Sequence, residues 1–485
     1  MKRGKSMKKK IGVFSLAVLL VLSVTLAGCS ASPATKVKLS PDDPVSLEVW
    51  HYYNGPQKEA FDEMVAEFND TVGMEKGITV EAFNKGNVNE LTDAVLASAN
   101  KKVGADEVPD IFAGYADTAY QVDKLGMVAS LDNYLTKKEI EEYIPSYIEE
   151  GRFDSEENLK IFPFAKSMEV MMINKTDWDK FASATGASLD SLNTIEGLTD
   201  TAKKYYDWSG GKAFFNRDAM ANYMIIGSKQ LGVEIFEVKN GEVTFNLDKD
   251  VMRKLWDNYY VPFINGYFAS YGRFASDDAK TGDIIALVGS SSGATYYPTK
   301  VTVSDTESYP IETVVMQAPE FKDGKKVAVQ QGAGMVVVKS DERKEYASTV
   351  FLKWLTDAKR NIDFSITSGY LPVKKEANTR EMLETAVEEA GDNAISDNLA
   401  KTLPIAVDIT NNNELYTNKA FEGGTNARNI LEASMKKKAA ADAEAVKAAV
   451  ASGTAKEAAI AAYNTDENFN QWYEKLKKEL DETQK

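Results

Sequence analysis

The chain has 485 residues, 44 % hydrophobic and 27 % charged, with 57 Lys and Arg against 73 Asp and Glu, one His and one Cys. A lone His51 and a lone Cys29 exclude an internal disulfide, argue against an imidazole or thiolate zinc site, and leave almost no room for Ser-His-Asp or Cys-His catalysis. The acidic balance opposes nucleic-acid backbone binding, and the length suffices for two or three domains.

Six of the basic residues and none of the acidic ones fall in residues 1–10, so the remainder carries 51 basic against 73 acidic side chains, a net charge of -22. The basic run precedes an apolar run over 11–26 that is short of the roughly 20 residues a membrane span needs, and Leu26-Ala27-Gly28-Cys29 closes it. A charged start, an apolar stretch and a small-residue cleavage site describe a secretory signal over 1–28. The closing tetrad resembles the lipobox of bacterial lipoproteins, which implies that Cys29 becomes the first mature residue, carrying diacylglycerol and palmitate. Residues 29–44 hold three prolines among small polar residues and read as a flexible tether.

From residue 45 a unit of strand, loop and helix recurs three times. Val45 to Trp50 alternates as a strand, and Phe61, Met64, Val65 and Phe68 share one face of a helix over 57–69. Residues 77–83 and 109–113 read as the next strands, with helices over 89–99 and 118–124. Such repetition predicts a mostly parallel α/β sheet whose ligands gather at the loops after the strands' carboxyl ends. Tyr53, Asn54, Asn84, Asn87, Tyr115 and Asp117 fall in those loops. Amide side chains suit hydroxyl-rich solutes because they both donate and accept, although Asn before Gly is also ordinary turn chemistry.

A second α/β unit follows from about residue 167. Helices are expected over 216–232 and 249–260, a strand over 282–288 with the small loop Gly289-Ser290-Ser291-Ser292-Gly293, and strands over 312–317 and 331–338. Residues 341–354 read as a helix with Tyr346, Val350, Phe351 and Trp354 inward. The Ala- and Lys-rich stretch 436–462 is helical by propensity and expected to pack weakly, and Phe469, Trp472, Tyr473 and Leu476 stripe a final helix. Phosphate-loop, dinucleotide and calcium-loop patterns do not fit, and no carboxylate pair can be placed across a cleft as in a glycosidase.

Phe351-Leu352-Lys353-Trp354-Leu355-Thr356 followed by Ser368-Gly369-Tyr370-Leu371-Pro372-Val373, with Pro109-Asp110-Ile111, the stretch 162–175 and the strand and loop over 282–293, resembles the extracellular solute-binding proteins of ABC importers for sugars, oligosaccharides and glycerol 3-phosphate. The resemblance implies a type II periplasmic-binding-protein-like fold, two α/β lobes joined by a hinge, with no catalysis, cofactor or metal. It implies lobe 1 over 45–161 and 319–356, lobe 2 over 162–318 and 357–485, and crossings near Phe162 and Pro319. The expected function is a monomer, tethered to the membrane through Cys29, that captures a sugar and hands it to permease subunits; glycerol 3-phosphate or a related phosphate ester is the alternative ligand.

Within that resemblance Tyr370 matches a ligand-facing aromatic, or else anchors its loop against Phe364. Tyr115 and Asp117 match the loop after the third strand, where Asp117 alternatively caps a helix. Ser167 and Glu169, two residues apart on a strand, point to one side. Ser290, Ser291 and Gly293 offer hydroxyls and backbone amides, Gly332 and Gly334 either permit close approach or mark a bulge, and Phe215, Tyr296 and Tyr297 are stacking candidates. Arg428 matches the region where the phosphate-ester branch places an arginine, whose fork of donors suits an oxyanion.

Overall fold

The computed structural model describes residues 37–239, 241–391 and 395–484. The expected signal peptide and Cys29 lie outside the described residues. Lobe 1 begins with β1 (Val45–His51), β2 (Ile78–Asn84) and β3 (Ile111–Gly114), each followed by a helix: Pro56–Phe68, Val88–Ala99 and Ala116–Asp123. β1 pairs in parallel with β2 from Val45↔Ile78 and with β3 at Val49↔Ile111. Val45, Leu47 and Val49 are buried while Ser46 is exposed, the alternation a strand with one core face requires.

Pro56 opens the first helix where no intrahelical donor is needed. That helix buries Phe61, Met64, Val65 and Phe68. Phe68 packs edge-on against Phe351 and Trp354 of the helix Glu342–Leu355, with centroids 4.9 and 5.4 Å away. Each such burial contributes roughly 1.5–3 kcal/mol.

The chain enters lobe 2 through β4 (Ser167–Asn174) and continues with β5 (Phe215–Arg217), the hairpin β6 (Phe236–Lys239) and β7 (Glu242–Phe245), and β8 (Ala286–Ser290). The hairpin β9 (Lys300–Ser304) and β10 (Glu307–Pro310) precedes β11 (Thr313–Gln317) and β12 (Val327–Gln331). β13 (Gly334–Val337) returns to lobe 1, and β14 (Glu414–Tyr416) ends the second sheet. The sheet orders are β13-β3-β1-β2 in lobe 1 and β14-β12-β4-β8-β5 in lobe 2, with β11 also on β4. β4 is covered on both faces, Met168, Val170 and Met172 toward the core shared with lobe 1 and Met171 and Ile173 toward the core of lobe 2. That is why Val170 to Ile173 is a continuous apolar run instead of an alternation.

Four expectations need correction. Residues 216–232 are not one helix: β5 takes Phe215–Arg217 and the helix runs Met220–Gln230. The return crossing is not near Pro319, because β11 and β12 both pair with β4 in lobe 2, and the crossing lies between Gln331 and Gly334. Lobe 1 extends past residue 356, since the helix Ala358–Ser368 packs on Pro56–Phe68. The Ala- and Lys-rich stretch is well packed: the helix Gly424–Ala451 buries Leu431, Met435, Ala439, Ala443 and Val446. Small side chains there let it lie close to the helix Lys249–Ile264, a packing that propensity alone does not report.

Three chain segments cross between the lobes, and Lys166 touches all of them. Its backbone exchanges hydrogen bonds with Leu371 (N–H to O 3.4 Å, and 2.5 Å in return), and its ammonium donates to Gly332 O (2.8 Å) and pairs with Glu150. Lys166 and Glu150 are 1 % and 4 % exposed. Gly332 has φ +91°, and a Cβ there would lie 2.1 Å from Ala165 O, so glycine is required where the two crossing strands touch.

Candidate functional site

Between the lobes lies a cavity of about 830 Å³. Its lobe 1 wall comes from the loops after β1, β2 and β3: Tyr52, Asn54 and Gln57, then Asn87 and Glu90, then Tyr115. Asn87 caps the helix Val88–Ala99, accepting from the Asn89 and Glu90 amides (2.9 and 3.1 Å), while Glu90 Oε2 accepts from the Asn87 N–H (2.7 Å). That reciprocal cap stabilises the helix by about 1 kcal/mol and fixes the loop's exit toward the cavity.

The floor is the hinge. Tyr115 Oη accepts from the Gly332 N–H (3.3 Å) and Tyr52 Oη from the Ala333 N–H (3.2 Å), so two lobe 1 phenols grip the returning strand. Tyr370 also lines the cavity, its ring parallel to that of Phe364 at 6.2 Å. Burial pushes all three phenols well above the ordinary tyrosine pKa, so each remains a neutral O–H.

On the lobe 2 wall, Ser167 Oγ accepts from Ser290 Oγ (2.9 Å), and Glu169, two residues further along β4, lies opposite Ser290 of β8. Glu169 is engaged on both oxygens: Arg217 Nη2 donates to Oε2 (3.0 Å) and Asn222 Nδ2 to Oε1 (2.9 Å). Burial raises its pKa and the Arg217 charge opposes the rise. Gly293, Tyr296, Tyr297, Asp218, Ala219 and Phe274 complete this wall. The lobes meet on both flanks of the cavity. On one, Tyr296 Oη donates to Asn54 O (3.2 Å) and Gln57 Nε2 to Ser292 O (3.3 Å). On the other, Arg428 Nε donates to Asp117 Oδ2 (2.8 Å) and Lys124 pairs with Glu422 (2.5 Å).

Of the site residues read from sequence, the structure brings Asn54, Asn87, Tyr115, Ser167, Glu169 and Ser290 to the cavity, together with Gly293, Tyr296, Tyr297, Gly332 and Tyr370. Six lie elsewhere. Tyr53 is fully buried against Phe61 (5.1 Å) and Tyr370 (5.8 Å), because it continues the inward face of β1. Asn84 is a loop brace, donating to Tyr53 O (2.5 Å) and accepting from the Gly86 N–H (2.8 Å). Phe215 is buried against Phe268 (4.9 Å). Ser291 is buried and donates to Gly369 O (3.2 Å).

Asp117 and Arg428 are spent on one another, at 8 % and 18 % side-chain exposure. Gly424 allows this close approach, since a Cβ there would lie 2.4 Å from Asp117 Oδ1. Tyr52, Gln57, Asp218, Ala219, Phe274 and Gln331 line the cavity without having been singled out. For Asp218 the signal existed: it follows β5 directly, and the strand-end rule fails there only because β5 was read as helix.

Among the described residues no group of three or more His, Cys, Asp or Glu is placed to hold a metal ion, and no helix is long and apolar enough to cross a membrane.

Residues 63–391 match the family described as bacterial extracellular solute-binding protein. The chain belongs to that family. Among solved structures, this solute-binding protein resembles UgpB from Mycobacterium tuberculosis in complex with glycerophosphocholine (TM-score 0.64, 16 % identity, covering 91 % of this chain and 100 % of that one). It also resembles the GacH receptor of Streptomyces glaucescens, solved unliganded and with acarbose (0.62, 15 %, 90 % and 98 %). A third likeness is to the cyclic α-maltosyl-1,6-maltose binding protein of Arthrobacter globiformis (0.61, 19 %, 89 % and 99 %). At such identities the likeness is one of fold. No curated protein matches the sequence.

Proposed function

We propose that this solute-binding protein is the capture component of an ABC importer, holding a sugar or oligosaccharide between its lobes and delivering it to permease subunits. The observation that carries the reading is the cavity itself. About 830 Å³ is room for an oligosaccharide, and its walls alternate neutral phenol and serine hydroxyls with the half-exposed rings of Tyr296 and Phe274. Hydroxyls serve a polyol's donors and acceptors, and rings serve its C–H faces. Solved relatives of the same fold carry maltotriose, acarbose and cycloalternan, which supports the saccharide class.

Ligand contacts to both walls favour the closed lobe arrangement, and permease subunits would read the paired outer surfaces. Calorimetric titration with maltotriose, xylotriose and cycloalternan, with small-angle scattering of free and loaded protein, tests it. Saturable binding with a smaller radius of gyration is expected, and absence of binding to all three refutes the saccharide class.

The phosphate-ester alternative loses Arg428, which is paired with Asp117. It would have to use Arg273 and Lys280, the cations lining the cavity, and titration with glycerol 3-phosphate decides it. Membrane tethering through Cys29 at the extracellular face is the second part of the proposal. Cys29→Ser should move the protein from the membrane fraction to the medium, and retention in the membrane refutes it.

A further inference from the structure

We propose that Asp218 is a ligand-binding carboxylate of lobe 2, accepting hydrogen bonds from hydroxyls of the bound saccharide; this rests on the saccharide reading above. Asp218 stands at the carboxyl end of β5 and lines the cavity beside Ala219, Phe274 and Gly289. Its Oδ1 accepts from the Ala275 N–H (3.0 Å), while Oδ2 has no protein donor among the described residues. A Cβ on Gly289 would lie 3.2 Å from that Oδ2, so the missing side chain leaves the oxygen uncovered.

The backbone supports the same assignment. Ala219 adopts φ 49° and ψ 67°, and of the four non-glycine residues with positive φ among the described residues, Lys101, Glu157, Ala219 and Asp323, it is the one lining the cavity. An L-residue is disfavoured in this region, and such outliers persist where surrounding structure holds them, often at ligand sites. Here the left-handed step turns the chain sharply between β5 and the helix Met220–Gln230, leaving Asp218 at the turn.

The other acidic groups of this wall differ. Glu169 has both oxygens engaged by Arg217 and Asn222, and Asp277 accepts from the Phe274 N–H (3.1 Å) and faces Lys280 (3.5 Å). Asp218 is the one with an oxygen left uncovered and without a protein donor among the described residues, and partial burial of the group pushes its pKa up against the pull of the Ala275 amide, Lys436 and Arg217. A hydroxyl-bearing ligand supplies the missing donors, and charge-assisted hydrogen bonds are the strong ones.

Calorimetric titration of the wild type, Asp218→Asn, Asp218→Ala and Gly289→Ala with maltotriose, xylotriose and cycloalternan tests this. Both Asp218 variants should bind at least about tenfold more weakly, with ligand-free melting temperatures held. Gly289→Ala covers Oδ2 without removing the charge and should lose affinity by a similar factor, which keeps the test open if an Asp218 variant does not fold. Unchanged affinity in a folded variant, for a saccharide the wild type binds, overturns the role of Asp218 and leaves the saccharide reading standing. No binding by the wild type removes that reading and this assignment with it.

Discussion

His51 is expected to make stability fall between pH 6.5 and pH 4. It ends β1 beneath the cavity loop, is 0 % exposed, and its Nδ1 accepts the Tyr53 N–H (3.2 Å), so the ring is neutral with its proton on an Nε2 that finds no partner. Its pKa is lowered from 6.5 to about 4, chiefly by burial, with Asp62 opposing and Lys58 assisting. Protonation would also place a second proton on Nδ1 and break the bond to Tyr53.

The unfolded chain therefore binds a proton in a window where the folded chain does not, and stability decreases as pH falls through 6.5. The full difference is on the order of 3 kcal/mol below pH 4, of which about 2 kcal/mol is already lost at pH 5. Urea unfolding at several pH values between 7.5 and 4.5, run in parallel on the wild type and His51→Gln, separates this from carboxylate effects shared by both. The variant keeps an acceptor for Tyr53 but does not titrate. Its stability should approach and then pass that of the wild type as pH drops; two curves that stay parallel would refute the reasoning.

Three further substitutions test the hinge and the interlobe contact. Arg428→Met leaves the buried Asp117 carboxylate unpaired and should cost about 3 kcal/mol in urea unfolding, with much of it recovered in the Asp117→Asn/Arg428→Met double variant. Lys166→Met should cost about 3–5 kcal/mol, because it strands Glu150 and releases the Gly332 carbonyl, and a double variant with Glu150→Gln should again recover part of it. Gly332→Ala should yield little folded protein, measured by circular dichroism and elution volume, since no small shift removes a 2.1 Å contact with backbone at φ +91°.

How much of the site was legible depended on which physical signal each residue carries. The strand-end rule located the lobe 1 loops because β1 and β2, seven residues each, are long enough to show their pattern, while β3, four buried residues, followed as the third repeat of the unit. It does not say which of two adjacent loop residues faces the ligand. For the pair Tyr52 and Tyr53 the missing information was in the period: Val45, Leu47 and Val49 point inward, so His51 and Tyr53 do too, and Tyr52 is left for the cavity. Asp218 was hidden by the shortness of β5, three residues that pair in parallel with β8 and carry no periodicity of their own. Arg428 shows the opposite limit. A guanidinium that suits an oxyanion suits a carboxylate equally well, and nothing local indicates that Asp117, 311 positions away in the chain, is the oxyanion it meets.

The hinge explains why its buried ion pair was the least visible feature of all. A crossing strand makes few contacts along the chain and many across it, so its sequence lacks both helical and strand periodicity. Nothing in the local sequence singles out Lys166 or Glu150, and Gly332 reads either as a place of close approach or as a bulge. Only the convergence of three distant segments turns them into one ion pair with a glycine-sized gap. The same convergence also bears on motion. A buried ion pair with its hydrogen bonds intact loses more on separation than an apolar contact of equal size, so rotation of the lobes should be taken up on either side of Lys166 and not at it. The interlobe contacts that motion must then break include solvent-exposed ones that are cheap to separate, Tyr296 to Asn54 and Lys124 to Glu422, and one buried pair that is not, Arg428 to Asp117.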